Sequence, residues 1–163
     1  MFEKIKAIAT DVDGVLTDGM FWWGTNGEEF KRFSFADVTG IALARKAGLE
    51  LALISGESSE SGMALVQRFA DKLQITDVYK GCHDKAAAVT EFAAHHNLQL
   101  SEICFIGDDV PDLPAMEIVG VPVAPANAQA VAREKAAWIA SRDGGSGVMR
   151  EVIDLILRQQ GRS

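Results

Sequence analysis

Short apolar runs alternate with helically periodic stretches along this chain. Ile5–Thr10, Leu49–Ser55, Thr76–Tyr79, Ser101–Ile106, Val121–Ala124 and Ala137–Ala140 are 4 to 7 residues of mostly aliphatic sequence, the length and character of buried strands. Helices are predicted between them. One runs from Asp37 to Ala47, capped by Asp37 and stopped by Gly48. The next spans roughly Ser59 to Leu73, with Met63, Val66, Phe69 and Leu73 at helical spacing and Gly62 weakening its first turns. His83-Asp84-Lys85 opens a third, which continues to about His96. Asp109 to Val119 follows with Pro111 and Pro114 in its first turn, then Gln129 to Lys135. Val148 to Gln159 closes the chain, with Val148, Val152, Leu155 and Ile156 on one stripe. This alternation predicts an α/β architecture, a doubly wound, mostly parallel, Rossmann-like sheet over residues 1–163 as a single domain.

One segment departs from the rhythm. Met20 to Phe35 holds Asn26-Gly27, a strong two-residue turn signal, between Phe21, Trp22, Trp23 on one side and Phe30, Phe33, Phe35 on the other. It predicts a β-hairpin insertion, with Phe33 and Phe35 on one side. A lone hairpin cannot bury so much aromatic surface. It is expected to lie on the domain, a substrate or another subunit. The Arg142–Gly147 stretch predicts a flexible loop.

The candidate chemistry sits where predicted strands end. Asp11 and Asp13 follow the first, two residues apart and so on one face of an extended chain. Neighbouring carboxylates at a buried strand end are costly without a cation, and hard oxygen donors suit Mg²⁺. Ser55 and Gly56 end the second strand, Asp108, Asp109 and Asp112 follow a later one, and Lys85 starts a helix after another. Parallel strands bring all their carboxyl ends to one edge, where ligands bind. A nucleophilic carboxylate, further acids for a metal, a hydroxyl and a lysine make a phosphoryl-transfer kit. Singly, each has a plainer explanation: Ser55 a helix cap, Lys85 a solvated charge, Asp109 and Asp112 acids favouring a helix N-terminus. His83, His95 and His96 fit no ligand pattern and are expected at the surface.

Composition narrows the classes. A net charge of −7 without a basic patch disfavours nucleic acid and anionic membrane as partners, and no apolar run reaches spanning length. Cys82 and Cys104 lack metal-site spacing and suit core thiols in a reducing cytoplasm. The segment MFEKIKAIAT is too short and charged for a signal peptide, so a cytoplasmic location is expected.

The four strand-end motifs, in this order and spacing, resemble the haloacid dehalogenase superfamily of phosphotransferases. Asp11-Val-Asp-Gly-Val-Leu-Thr17 matches its first motif, Ser55 the second, Lys85 the third and Gly107-Asp-Asp-Val-Pro-Asp112 the fourth. The resemblance implies that Asp11 attacks phosphorus and forms an aspartyl-phosphate. Asp13 then protonates the leaving alkoxide and activates water. It implies Mg²⁺ on Asp11, the Asp13 carbonyl and Asp108, phosphate contacts from Ser55, Gly56 and Lys85, and Asp109 and Asp112 orienting metal waters and Lys85.

A closer likeness covers nearly the whole chain. The Asp11–Gly19 motif, the Asn26-Gly-Glu-Glu29 hairpin and Gly144-Gly-Ser-Gly-Val-Met-Arg-Glu151 look like 3-deoxy-D-manno-octulosonate 8-phosphate phosphatases, a group with relatives acting on nine-carbon ulosonate 9-phosphates. That likeness implies a phosphorylated sugar-acid substrate, no cap domain and a homotetramer. Spacing independently leaves no room for a cap between Asp11 and Ser55 or between Ser55 and Lys85. In such a tetramer the aromatic hairpin would supply the interface, and the Gly144–Gly147 loop would let the C-terminal segment reach a neighbouring site.

Two departures bear on substrate. The octulosonate enzymes typically carry Arg after the second motif and Arg-Asp-Gly where this chain has Ala36-Asp37-Val38; here the positions hold Glu57 and Ala36. Glu57 with a helical lysine, for which Lys72 is the candidate, looks like the nine-carbon relatives, and a 9-phosphorylated nine-carbon acid is the favoured substrate. Fifteen helical residues, about 22 Å, separate the pair, so Lys72 is expected to serve Glu57's pocket from a neighbouring subunit. Two other classes compete. One is a non-catalytic oligomerisation domain like the C-terminal part of some sialic acid cytidylyltransferases, but loss of Asp13 or Lys85 would then be tolerated. The other is a phospho-accepting receiver domain, which lacks the Asp-x-Asp-Gly-Val-x-Thr signature.

Overall fold

The computed structural model describes residues 1–162. Its strands are β1 (Ala7–Thr10), β2 (Trp22–Trp23), β3 (Glu29–Phe30), β4 (Glu50–Ile54), β5 (Asp77–Tyr79), β6 (Ile103–Ile106), β7 (Val121–Ala124) and β8 (Trp138–Ile139). Its α-helices are α1 (Phe35–Lys46), α2 (Glu60–Leu73), α3 (Lys85–His95), α4 (Leu113–Ile118), α5 (Ala130–Lys135) and α6 (Val148–Gln159). Six strands form one parallel sheet in the order β5-β4-β1-β6-β7-β8, and β2 pairs with β3 in an antiparallel hairpin.

The central strand β1 is buried along its whole length. Ile8 faces the core shared with α1, α2 and α6, where Leu53, Ile106, Phe69 and Ile156 pack. Ala7 and Ala9 face the other way, toward α3, α4 and α5, where Phe105, Phe92 and Met116 fill the space the small alanines leave. Each fully buried Leu, Ile or Phe stabilises the fold by roughly 1.5–3 kcal/mol. The two faces together enforce helices on both sides of the sheet. Register then sets the site: Thr10 pairs with Leu53 on one side and Ile106 on the other. Asp11, Ser55 and Asp108 therefore emerge from the same sheet edge.

Several local expectations are corrected. Asp37 does not cap α1: Ser34 does, accepting from the Ala36 N–H, and Asp37 is buried in the first turn, where its Oδ1 accepts from the Arg150 N–H of α6 at 2.9 Å. Capping by Ser34 starts the helix at Phe35, which breaks the expected alternation. Phe33 stacks on Phe69 of α2 with centroids 4.0 Å apart, while Phe35 projects into solvent. The two prolines shorten the helix after β6, so Val110–Asp112 is a 3₁₀ turn and α4 begins only at Leu113.

The loop before α6 is not free. Gly144 is buried and donates to Asn127 Oδ1 at 2.9 Å, and the Gly145 N–H donates to the Val15 carbonyl. A Cβ on Gly144 would overlap the Gly14 carbonyl. The C-terminal helix packs on α1 of its own chain, and Gln159 and Gln160 bond Phe2 and Ile5. The described C-terminal helix is thus anchored to the start of its own chain. Among the described residues no helix is long and apolar enough to cross a membrane.

Candidate active site

The loop after β1 is shaped by its own side chains. Thr17 Oγ1 accepts from the N–H groups of Gly14 and Gly19, both at 3.2 Å, and lies 3.5 Å from Asp13 Oδ1. Gly14 sits at φ +89°, where an L side chain is strained, and a Cβ there would run into the Asp108 carboxylate. The motif's glycine and threonine thus have structural duties: one makes room for an acid, the other holds the turn that aims Asp13.

Lys85 is the hub of the cluster. It enters at the first turn of α3, its side chain is 3% exposed, and its Nζ lies 2.8 Å from Asp11 Oδ1 and 2.6 Å from Asp112 Oδ1. Burial works against the ammonium, but Asp11 and Asp112 outweigh it and raise its pKa above the ordinary lysine value. Asp112 is fully buried and accepts from the Asp108 and Asp109 N–H groups, which fastens the loop after β6 to Lys85. Gly107 is needed there, since a Cβ would collide with the Asp112 side chain.

Asp11, Asp108 and Asp112 bring carboxylate oxygens within 4.8 Å of one another. Burial first, then repulsion from Asp112, pushes Asp11 up to about 7 against the pull of Lys85. Burial, then Asp11, Asp112 and Asp109, pushes Asp108 up to about 8. Three acids with one lysine among them leave uncompensated negative charge, and the donors are all hard oxygens. The set fits a small divalent cation such as Mg²⁺. Lys85 already engages Asp112, so Asp11 and Asp108 are the carboxylates available to hold the ion.

Ser55 is buried just past β4, and its Oγ accepts from the Glu57 N–H at 3.1 Å. Gly56 is exposed, and a Cβ there would meet nothing closer than 3.6 Å. Asp109 lies at the rim, accepting from the Val110 N–H. Glu57 Oε1 accepts from the Ser59 N–H at 2.9 Å, and that bond, with help from Lys31, holds the carboxyl below its usual value. Lys72 is not brought into this group: its Nζ lies 5.6 Å from the Phe35 ring centre, and it lines a cavity of about 470 Å³ with Lys31, Phe33, Arg68 and Phe69.

Lys31 escaped the sequence reading. It follows β3, only 4% of its side chain is exposed, and its Nζ lies 2.9 Å from Asp13, 3.4 Å from Glu29 and 3.5 Å from Glu57. The available signal was a lysine amid the hairpin's aromatics, which reads as ordinary solvation of an exposed turn. Of the histidines expected at the surface, His83 and His95 are exposed and His96 is half-buried, and His95 and His96 both bond the buried Asp77.

A family profile for haloacid dehalogenase-like hydrolases matches residues 60–152. The 3-deoxy-D-manno-octulosonate 8-phosphate phosphatase of Escherichia coli strain K12 is 37% identical over 160 residues, 98% of this chain and 83% of that protein. The crystal structure of the Yersinia pestis 3-deoxy-D-manno-octulosonate 8-phosphate phosphatase superposes with a TM-score of 0.93 at 37% identity, covering 99% of this chain and 85% of that one. The Moraxella catarrhalis enzyme of the same name, solved with magnesium ion, phosphate ion and KDO, gives 0.92 at 36% identity, covering 98% and 90%.

Proposed function

The chain belongs to the haloacid dehalogenase-like hydrolases, and we propose that within this family it is a magnesium-dependent phosphomonoesterase acting on a phosphorylated 2-keto-3-deoxy sugar acid. The observation that carries the reading is Asp11 and Lys85, 2.8 Å apart among buried acids at one sheet edge. Lys85 leaves Asp11 poised as a nucleophile and supplies a cation to the phosphoryl oxygens, to which the Ser55 hydroxyl at the same sheet edge would also donate. Asp11 forms the oxygen–phosphorus bond as the ester P–O bond breaks, and Asp13 gives its proton to the leaving alkoxide. Asp13 then takes a proton from water, which attacks phosphorus and frees Asp11 and inorganic phosphate. Bound Mg²⁺, held by Asp11, Asp108 and the Asp13 carbonyl, supplies charge neutralisation at the phosphoryl group. The organised Asp13 and Lys85 argue against a non-catalytic assembly domain.

The relatives' names support 3-deoxy-D-manno-octulosonate 8-phosphate as substrate. Glu57 in place of their typical arginine supports a nine-carbon ulosonate 9-phosphate instead. Lys31 partly offsets the Glu57 charge, so repulsion of a substrate carboxylate is weaker than the sequence implied. Self-association as a tetramer in the cytoplasm completes the proposal, supported by Trp22, Trp23 and Phe35 standing 65%, 72% and 77% exposed.

The test is inorganic phosphate release from both sugar-acid phosphates, before and after chelation and Mg²⁺ restoration, for wild type and Asp11→Asn. Turnover should need Mg²⁺ and fall by several orders of magnitude in the variant. Near wild-type turnover by Asp11→Asn, with deamidation excluded, would overturn the covalent mechanism.

A further inference from the structure

We propose that Asp77, His95 and His96 form a second cation site, of the zinc class, away from the catalytic edge of the sheet. Asp77 is the first residue of β5, whereas Asp11, Ser55 and Asp108 follow the last residues of their strands. In register Asp77 is level with Ala52 of β4, three residues before Ser55, and so lies on the amino-terminal side of the catalytic edge. His95 is the last residue of α3 and His96 its C-cap. Their rings straddle the buried carboxylate: His95 Nδ1 lies 2.9 Å from Asp77 Oδ1, and His96 Nε2 lies 2.9 Å from Asp77 Oδ2. The three ligand atoms lie within 4.8 Å of one another.

The donor set decides the class of ion. Two imidazole nitrogens and one carboxylate suit zinc and its borderline neighbours, while Mg²⁺ prefers oxygen donors such as the catalytic acids. Zinc bonds of roughly 2.0–2.2 Å place tetrahedral ligand atoms about 3.4 Å apart, so the bonded pairs at 2.9 Å would part slightly and the wider pairs, all within 4.8 Å, would draw together around the ion. An imidazole ligates through a nitrogen that carries no proton. With the ion bound, the ring proton would sit on the other nitrogen, Nε2 of His95 and Nδ1 of His96. His96 Nδ1 lies 3.5 Å from Glu50 Oε2, where a carboxylate orients a metal-bound imidazole. The Phe92 ring packs edge-on against His96 at 5.0 Å and restricts its swing. His95 is 67% exposed, which leaves an entry path and a position for water.

Arg45 lines a cleft of about 70 Å³ together with Glu50 and Asp77. One guanidinium against two carboxylates leaves the local charge negative. An ion here would tie the end of α3 to β5, and the same helix carries Lys85 at its other end.

The experiment uses chelator-treated full-length protein held in saturating Mg²⁺ and titrated with Zn²⁺, with metal content read after gel filtration. Wild type should retain one zinc more per chain than the double variant His95→Ala/His96→Ala, and its Tm should rise with zinc while the variant's does not. Co²⁺ in place of Zn²⁺ should give visible absorption that the double variant loses. Should the double variant misfold, Asp77→Asn, which keeps a hydrogen-bonding amide, should lose the same zinc while its circular dichroism stays native. Equal zinc content in wild type and either folded variant would overturn the site and leave Asp77 a proton-bridged clasp for the two histidines.

Discussion

Lys31 Nζ lies 2.9 Å from Asp13 Oδ1, so a hairpin lysine completes the surroundings of the acid proposed to serve the leaving group. Burial works against its ammonium, but Asp13, Glu29 and Glu57 outweigh that and raise its pKa. Lys31→Met should lower kcat by about ten- to a hundredfold, since a general acid–base group typically contributes 10²–10⁴-fold and only its aim is lost. Stability should fall by about 1–3 kcal/mol, below the cost of breaking a fully buried pair because Asp13 and Glu57 are partly solvated. Lys31→Arg should restore part of both. Steady-state kinetics and urea unfolding check this, and unchanged values would show that the contact is idle.

Gly14 and Gly27 have nearly the same left-handed φ, +89° and +87°, but different surroundings. Nothing lies within 4 Å of a Cβ on Gly27, whereas on Gly14 it overlaps the Asp108 carboxylate. Gly27→Ala should cost about 1–2 kcal/mol of backbone strain and leave kcat alone. Gly14→Ala should bear the same strain and also displace Asp108, cutting activity and raising the Mg²⁺ concentration needed for it. Equal Mg²⁺ dependence in the two variants would argue against Asp108 as the displaced group.

Acidity offers a check on the carboxylate cluster. Asp11 and Asp108 are raised from 3.8 to about 7 and about 8. An acid whose folded pKa is raised favours the fold below its unfolded value and loses that advantage as pH climbs through the folded one. Without divalent ions, Tm should therefore decline between about pH 4 and 8. Lys85 is raised too, and its own titration lies above that window. Mg²⁺ should recover the loss, with a larger Tm rise at pH 8 than at pH 5. A Mg²⁺ effect independent of pH would place the ion elsewhere.

Glu57→Arg should raise kcat/KM for the eight-carbon substrate relative to the nine-carbon one, since an arginine fork suits a substrate carboxylate. Losing the Glu57 pairing with Lys31 should cost some rate on both. An unchanged ratio would remove Glu57 from substrate choice.

The hairpin's exposed rings should mark an interface. Replacing Trp22 and Phe30, which face each other across β2 and β3, with serine should shift the particle to a smaller mass in light scattering. A wild type that is already monomeric at micromolar concentration would end this reading.

What could be read from the chain alone was whatever depends on local pattern. Apolar runs and helical spacing gave the strand and helix order, and α6 spans Val148–Gln159 as periodicity predicts. The acids, serine and lysine converge because parallel strands share one carboxyl edge, a consequence of topology that needs no side-chain detail. Tertiary structure decided the rest, because burial and partners belong to residues far apart in sequence. Asp37 looked like a cap until Arg150, 113 residues away, claimed its carboxylate. The glycine loop before α6 looked flexible until Gly14 and Val15 took its surface and its N–H. Lys31 and the Asp77–His95–His96 cluster carried no spacing signal at all. A turn lysine and a histidine pair gain partners only when folding sets them against Asp13 and Asp77, which lie 18 or more residues away in the chain.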